Sequence, residues 1–346
     1  MENPVLTIVV PCFNEQEVLP ETMKQLNQFL TQLIVEELVS EKSKVLFIDD
    51  GSKDDTWTII YKYSLNHRHI RGLKLSRNAG HQNALLAGLF TAVETSDCLI
   101  SIDADLQDDI HVMKEFIMKY HEGNEIVYGV RKKRDSDTFF KRSTAQAFYK
   151  LMKIMGTDLI YNHADFRLMS KRAVHELKHF SEINMFLRGI VPLIGFKSAN
   201  VYYDRKERLA GETKYPINKM LAFSLEGITS FSVTPIRLVV LIGFLTFFIS
   251  IMFGAYFLSL KFSGRTELGW TSLIASIWLI GGLQLIAIGL IGEYIGKIYK
   301  ESKRRPKYII DIDTLNMPIP HHLINDEGKY DEQHANAHFR NLPETN

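Results

Sequence analysis

Residues 100–109 read ISIDADLQDD, a short apolar run that ends in a group of carboxylates. Asp103 and Asp105 are two residues apart, and in an extended chain such residues point to the same face. Two converging carboxylates repel each other unless a cation lies between them, and Mg²⁺ commonly binds one or two carboxylates together with phosphate oxygens. The stretch therefore predicts a strand that ends at a divalent metal site. The alternative is an acidic strand end that caps the next helix.

Similar apolar runs lie on both sides of this stretch. The runs are LTIVV (6–10), VLFID (45–49), RGLKL (71–75), CLISID (98–103) and EIVYG (125–129). Amphipathic stretches separate them at 16–36, 54–65, 80–94 and 109–121. This alternation predicts an α/β fold with a mostly parallel sheet and helices on both faces. Ligands bind such sheets at the carboxyl ends of the strands.

Polar residues follow the first three runs, which places them at the same predicted rim as Asp103. They are Asn14 and Glu15 after the first run, Asp49 and Asp50 at the end of the second, and Arg77 and Asn78 after the third. A carboxylate at this rim can accept hydrogen bonds from a nucleobase N–H or from ribose hydroxyls. The pattern favours a nucleotide site.

Composition argues against several classes of protein. The net charge of +1 gives no overall basic field, so we expect no nucleic-acid partner. Cys12 and Cys98 lie in or beside apolar runs without metal-ligand spacing, which is typical of buried, reduced thiols. The N-terminus has no basic start and no small-residue cleavage site, so it reads as a first core strand in the cytosol.

Two uncharged stretches predict a membrane hairpin. Leu238–Leu260 and Trp270–Gly292 are each 23 residues long, which as helices is roughly 34 Å, enough to cross a hydrocarbon core. The basic residues after the second stretch place that end in the cytosol. We therefore expect a catalytic domain (1–215), amphipathic juxtamembrane helices (216–236), two membrane spans (237–296) and a basic, then polar, cytosolic tail (297–346). The interfacial reading of 216–235 competes with a packed core helix.

The combined motifs resemble the family 2 glycosyltransferases of GT-A fold, in their polyprenyl-phosphate branch. This branch includes dolichyl-phosphate mannose synthase and bacterial two-span enzymes that glucosylate undecaprenyl phosphate. The motifs that resemble it are VVPCFNE, IDDGSKDDT, LSRNAGHQNAL, DADLQD, YGVRKKR, ADFRLMS and RLAGETKYP, together with the paired spans that end IGEYIGKIYKESKRRP. The resemblance runs from Leu6 to about Lys307.

The resemblance implies a role for each matched residue. The residues that it implies for binding the donor nucleotide are Pro11, Asn14, Glu15, Asp49, Asp50, Arg77 and Asp103. Asp105 and Gln107 would hold Mg²⁺ or Mn²⁺ with the donor diphosphate, and Asp105 and Asp165 are the implied catalytic residues. The residues that it implies for binding the acceptor and phosphate groups are Arg131, Arg142, Ser143, Arg167, Arg205, Arg208 and Lys214. The last three of these would lie in a mobile lid. For the basic stretch that follows Arg131, the residues alone also allow a solvated surface against anionic lipid.

The implied reaction is an inverting transfer of a hexose from a nucleotide diphosphate sugar to undecaprenyl phosphate. UDP-glucose is the expected donor, with UDP-N-acetylglucosamine as the second choice. The enzyme would lie in the plasma membrane with its catalytic domain and both termini in the cytosol, as a homotetramer, and would supply a flippase and a later transferase of the cell envelope. The alternatives are a processive polysaccharide synthase, which carries a Gln-x-x-Arg-Trp motif that this chain lacks, and a non-catalytic nucleotide-binding membrane scaffold.

Overall fold

The chain folds into two compact units. The computed structural model describes residues 3–132, 163–180, 182, 187–204, 234–262 and 270–316. The first unit is drawn from 1–138, 160–214 and 306–346, and the second from 139–159 and 215–305. The first unit contains the sheet, and the second contains two long apolar helices.

The first unit is built on one eight-stranded sheet. Its strands are β1 (Leu6–Cys12), β2 (Lys44–Asp49), β3 (Ile70–Leu75), β4 (Cys98–Ser101), β5 (Ile126–Arg131), β6 (His163–Ser170), β7 (Ser198–Tyr203) and β8 (Ile310–Asp313). They lie in the order β7-β5-β6-β4-β1-β2-β3-β8. Only β6 and β8 run antiparallel to their neighbours among these strands. The predicted α/β fold with a mostly parallel sheet is confirmed.

Helices cover both faces of this sheet. They are α1 (Leu19–Val35), α2 (Thr56–Asn66), α3 (His81–Ala92), α4 (Val112–His121), α5 (Lys171–Lys178) and α6 (Leu187–Leu193). Leu26 of α1 belongs to the same buried core as Ile8 and Val10. Gly88 of α3 instead packs on Val9, whose Cγ1 would lie 2.5 Å from a Cβ added at this glycine. Because successive strand residues face opposite sides, α1 and α3 lie on opposite faces.

The central strand β1 extends two residues further than its apolar run predicts. All seven of its residues are buried, as in a strand covered on both faces. Pro11, which directly follows the apolar run, lies inside β1 and pairs with Ile48 of β2. The pairing with β4 stops at Val9, so β1 has a single strand neighbour at Pro11, where a missing amide hydrogen is tolerated.

The chain returns to the sheet after the apolar helices. β8 pairs antiparallel with β3 at the edge of the sheet. Thr314 fastens the end of β8, because its hydroxyl accepts a hydrogen bond from the Gly72 amide at 2.7 Å. The sequence predicts a basic and polar tail here and gives no sign of this strand.

The second unit contains α7 (Thr234–Phe262) and α8 (Trp270–Ser302). Both helices include the uncharged stretches predicted as spans, and α8 continues ten residues beyond Gly292. In the described part of the chain, one segment, Leu279–Ser302, is long and apolar enough to cross a membrane, with a mean hydropathy of 1.6. A shorter apolar stretch, Val239–Phe253, lies in α7. The two-span topology stays a prediction, and most of the juxtamembrane segment 216–236 lies outside the described residues.

Candidate active site

The loops after β1 and β2 are bound to each other by side chain to backbone hydrogen bonds. Asn14 has a positive φ of 53°, and its backbone N–H donates to Ser52 Oγ at 3.0 Å. Its Oδ1 accepts from the Lys53 amide at 2.9 Å. The Glu15 amide donates to Thr56 Oγ1 at 2.9 Å. These bonds give the predicted donor rim a defined shape, although its residues are up to 41 positions apart.

Asp49 has a buried carboxylate with an unused acceptor atom. Its Oδ1 accepts from the Ser52 amide at 3.2 Å, whereas its Oδ2 has no hydrogen-bond partner within the described chain. Burial raises the pKa of Asp49 above its ordinary value. Buried acceptors are normally satisfied, so Oδ2 is placed to accept a hydrogen bond from a ligand.

Asp50, its neighbour, is occupied on both oxygens. Oδ1 accepts from the Ala79 amide at 2.7 Å and Oδ2 from the Gly80 amide at 2.9 Å. Burial raises the pKa of Asp50, and the two backbone bonds oppose that shift. Asp50 therefore holds the turn in front of α3, where Gly80 has a φ of 93°. Arg77 lies exposed in the same loop.

Gly51, in the loop after β2, lies so close to the loop after β3 that no side chain fits between them. A Cβ there would lie 2.5 Å from Asn78 N and 2.6 Å from Arg77 C, and its φ is 64°. We expect Gly51→Ala to lower the melting temperature in detergent by roughly 5–10 °C, because backbone atoms must move and the residue is strained. Gly123→Ala is the matched control, since Gly123 also has a positive φ but no contact closer than 3.9 Å. Equal losses in the two variants would contradict the close approach.

Residues 102–109, which follow β4 and are called the acidic loop here, do not form the extended strand end that the sequence predicts. β4 ends at Ser101, and residues 104–105 form a turn, so Asp103 and Asp105 do not lie on one extended strand face. Leu106, directly after this turn, has a positive φ of 52°. The turn brings Asp105 beside Gln107, whose backbone N–H donates to Asp105 Oδ1 at 3.2 Å. The two predicted metal ligands are neighbours, but through a turn and not through strand alternation.

Asp103 lies in a strongly negative environment. Burial raises its pKa, and the carboxylates of Asp165, Asp108 and Asp105 raise it further. His81 at the start of α3 opposes this shift, with Nε2 3.5 Å from Asp103 Oδ1. The concentration of carboxylates favours binding of a cation at this part of the rim.

Asp165 lies beside this cluster because of strand pairing. β4 and β6 pair Ser101 with Arg167, and Ser101 Oγ donates a hydrogen bond to the Asp165 carbonyl. Arg167 Nη2 makes an ion pair with Asp165 Oδ1, and Arg188 Nη2 lies 3.1 Å from Oδ2. Burial alone would raise the pKa of Asp165, but the two guanidinium groups hold it well below its ordinary value.

Arg188 is a site residue that the sequence analysis missed. It lies on α6, in a region whose pattern predicts no regular element, and no motif includes it. Its Nε also lies 3.4 Å from Asp165 Oδ1, so the guanidinium faces both carboxylate oxygens. Only the packing of α6 against β6 brings it to the rim, and that contact has no local signal in the sequence.

Arg131 is paired with a carboxylate at the predicted acceptor side. Its Nη2 lies 3.2 Å from Asp108 Oδ1, which also accepts from Tyr203 Oη at 2.6 Å. Burial would lower the pKa of Arg131, but Asp108 raises it above its ordinary value. The loop after β4 is thus tied to the ends of β5 and β7. Arg167, another predicted phosphate ligand, is buried beside Asp165. The remaining predicted phosphate ligands lie outside the described residues: Arg142, Ser143, Arg205, Arg208 and Lys214.

Comparison with known proteins gives the family of this chain. The family model described as glycosyl transferase family 2 matches residues 7–178. The glycosyltransferase YkoT of Bacillus subtilis (strain 168) is 62% identical over 90% of this chain and 93% of its own length. The chain belongs to glycosyltransferase family 2. The bactoprenol glucosyl transferase of Shigella phage SfV is 42% identical over 88% of this chain and 97% of that protein.

This family 2 glycosyltransferase is therefore an enzyme, which sets aside the non-catalytic scaffold. The matched range contains Asp49, Asp105 and Asp165, whereas Arg188 lies beyond its end. Among solved structures, the mannosyltransferase PcManGT from Pyrobaculum calidifontis, in complex with GDP-Man and Mn²⁺, has a TM-score of 0.42 and 13% identity. It covers 85% of this chain and 87% of its own, and a likeness this low indicates no ligand.

Proposed function

We propose that this glycosyltransferase moves a hexose from a nucleotide diphosphate sugar to a polyprenyl phosphate, with inversion at the anomeric carbon. UDP-glucose is the favoured donor and UDP-N-acetylglucosamine the second. Relatives from Shigella phages and Escherichia coli at 42% identity are named bactoprenol glucosyl transferases, which supports a lipid carrier as acceptor. Dolichyl phosphate would replace undecaprenyl phosphate in a eukaryote.

The observation that carries this proposal is the pairing of Asp165 with two arginines. An acceptor hydroxyl needs a general base with a pKa near the working pH. Arg188 and Arg167 hold the pKa of Asp165 far below that range, so this carboxylate is a poor proton acceptor. A phosphate monoester is mostly ionised at neutral pH and attacks without losing a proton. Asp165 therefore suits a phosphate acceptor, which needs no base, better than a hydroxyl.

The donor site is supported by the rim after β1 and β2. The unpaired Oδ2 of Asp49 can accept a hydrogen bond from a nucleobase N–H, and the ordered loop around Asn14 and Glu15 can shape the nucleoside pocket. Asp50 supports the same pocket indirectly, since both of its oxygens hold the turn before α3. Pro11 is buried in β1, so its contribution would be shape.

The acidic loop fits a hard divalent cation such as Mg²⁺ or Mn²⁺. Asp105 and Gln107 carry side-chain oxygens on the same turn, where the Gln107 backbone N–H bonds Asp105 Oδ1, and the neighbouring carboxylates leave negative charge that a cation would offset. Among the described residues there is no group of three or more His, Cys, Asp or Glu that would form a complete site. Donor phosphates and water would complete the coordination, and the bound ion would stabilise the departing nucleoside diphosphate.

The chain's own residues would act mainly by positioning and charge. Asp165 stays ionised beside the transferred sugar and stabilises positive charge on it during in-line attack by the acceptor phosphate. Arg131, with the undescribed Arg142, Ser143, Arg205, Arg208 and Lys214, would bind phosphate oxygens, for which guanidinium groups are well suited. Arg167 is 1% exposed, so we assign it to Asp165 and not to the lipid.

The return of the chain to its sheet supports an even number of membrane crossings. β7 and β8 flank α7 and α8 in sequence and belong to the same sheet. A segment that leaves and re-enters one folded unit crosses a membrane an even number of times. This supports the predicted hairpin, with the basic residues after α8 in the cytosol. A tetramer, a flippase and a later transferase remain proposals.

The test uses purified protein in detergent with Mg²⁺ and undecaprenyl phosphate. Labelled UDP-glucose, UDP-N-acetylglucosamine and GDP-mannose are supplied separately, and label is measured in the organic phase. We expect one donor to label the lipid, and undecaprenol, which lacks the phosphate, to remain unlabelled. Label that grows into a long polymer would favour the processive synthase. The absence of lipid label from all three donors would refute the proposal.

A further inference from the structure

Arg188 contacts the proposed catalytic carboxylate through two nitrogen atoms. Its Nη2 lies 3.1 Å from Asp165 Oδ2, and its Nε lies 3.4 Å from Oδ1. The planar guanidinium thus matches both oxygens of the carboxylate, an arrangement that fixes the direction of the pair as well as its distance. A lysine offers a single ammonium group and cannot match both oxygens in this way.

A closed ring of contacts includes this pair. Arg167 makes an ion pair with Asp165 from the same strand, and its Nη1 donates to the carbonyl of Leu187 at 3.2 Å. Leu187 directly precedes Arg188, which returns to Asp165. The ring therefore connects β6 to the start of α6, and each member restricts the orientation of the next.

The two arginines occupy different environments in this ring. The side chain of Arg167 is 1% exposed and that of Asp165 is 11% exposed, whereas Arg188 is 37% exposed. Arg167 is therefore enclosed by protein, and Arg188 forms the side of the ring that a substrate can approach. His81 and Asp103 also interact electrostatically with Asp165. The Asp165 carboxylate therefore has both positive and negative groups around it.

We propose that Arg188 is a positioning residue for sugar transfer, which holds the carboxylate of Asp165 in one orientation beside the transferred sugar. This inference rests on the proposed function. Arg188 acts through Asp165, since two of its guanidinium nitrogens face the two carboxylate oxygens. Its loss leaves Asp165 fixed on one side only, by Arg167.

The first test compares Arg188→Gln and Arg188→Lys in the lipid-labelling assay. We expect Arg188→Gln to lower kcat about 30- to 100-fold, with donor and acceptor KM changed less than about threefold, since misplacing a catalytic group costs this much. Arg188→Lys should recover part of the loss because it keeps the charge. Arg68→Gln is the matched control, since Arg68 is 69% exposed and pairs with Glu41 at the surface. A rise in acceptor KM with unchanged kcat would overturn the inference.

The second test is a double-mutant cycle with Asp165→Asn. If Arg188 acts through Asp165, adding Arg188→Gln to Asp165→Asn should lower kcat by less than about threefold more. Full additivity of the two losses would show an independent role and would refute the proposal. If Arg188→Gln does not fold, Arg188→Lys takes its place in the cycle, with the same two outcomes. A wild-type enzyme that labels no lipid would instead refute the proposed function, and this inference with it.

Discussion

Asp165→Asn should lower lipid labelling by about 10³-fold while UDP binding is retained, because the substitution removes charge stabilisation from the transferred sugar and leaves the donor rim intact. Asparagine keeps nearly the same shape, so the loss reports on charge and not on packing. The measurement is kcat for transfer from the preferred donor, with UDP binding measured by calorimetry.

The control for this variant addresses stability. Asp165→Asn leaves Arg167 buried without its anion, which is costly in itself. The melting temperature must therefore be measured together with the rate. Glu94→Gln is the matched control, since Glu94 pairs with Lys178 at 2.8 Å but is 61% exposed. A fully active Asp165→Asn variant would remove this residue from the mechanism.

Asp105→Ala should abolish transfer as completely as EDTA does, with a loss of at least about 10³-fold, because it removes a proposed metal ligand at the donor diphosphate. The physical reason is that negative charge on the departing nucleoside diphosphate would no longer be offset. Excess Mg²⁺ or Mn²⁺ should restore the EDTA-treated wild type but not the variant. The measurement is lipid label at several metal concentrations.

A second aspartate of the same loop provides the comparison for Asp105. Asp109 accepts a hydrogen bond from the His111 amide at 3.2 Å before α4, so Asp109→Ala should affect the helix start but not the metal. We expect it to keep activity within about threefold, as for the loss of one exposed local hydrogen bond. Transfer that survives EDTA in the wild type would exclude the proposed metal role.

The parallel part of the fold could be predicted because its signals are local. Each of the first five strands is a short apolar run followed by a turn, and helical stretches separate them. β6, β7 and β8 could not be predicted in this way, because strands inserted later in the chain or added at a sheet edge depend on distant partners. β8 is four residues long, and its IDID pattern lies in a polar segment.

The site shows the same division between local and distant signals. Asp49, Asp105 and Gln107 could be predicted as site residues because they end or follow strands in recognisable motifs. The roles of their neighbours needed coordinates: Asp50 supports a turn, Arg131 pairs with Asp108, and Arg188 pairs with Asp165. These pairings join residues 23 to 29 positions apart, and no spacing rule predicts which charges meet at such separations.

The edge strand β8 has a consequence for how the protein is made. The ribosome releases β1 to β7 first, then the apolar helices, and only afterwards the strand that covers β3. Until then the backbone N–H and C=O groups at the outer edge of β3 are unpaired. Such an edge can pair with another chain, which promotes aggregation. A soluble catalytic unit obtained by stopping translation before α7 would keep this edge open permanently. Residues 306–314 would have to be supplied to close the sheet, joined to β7 by a linker long enough to cross seven strand spacings, roughly 34 Å, because β7 and β8 form opposite edges.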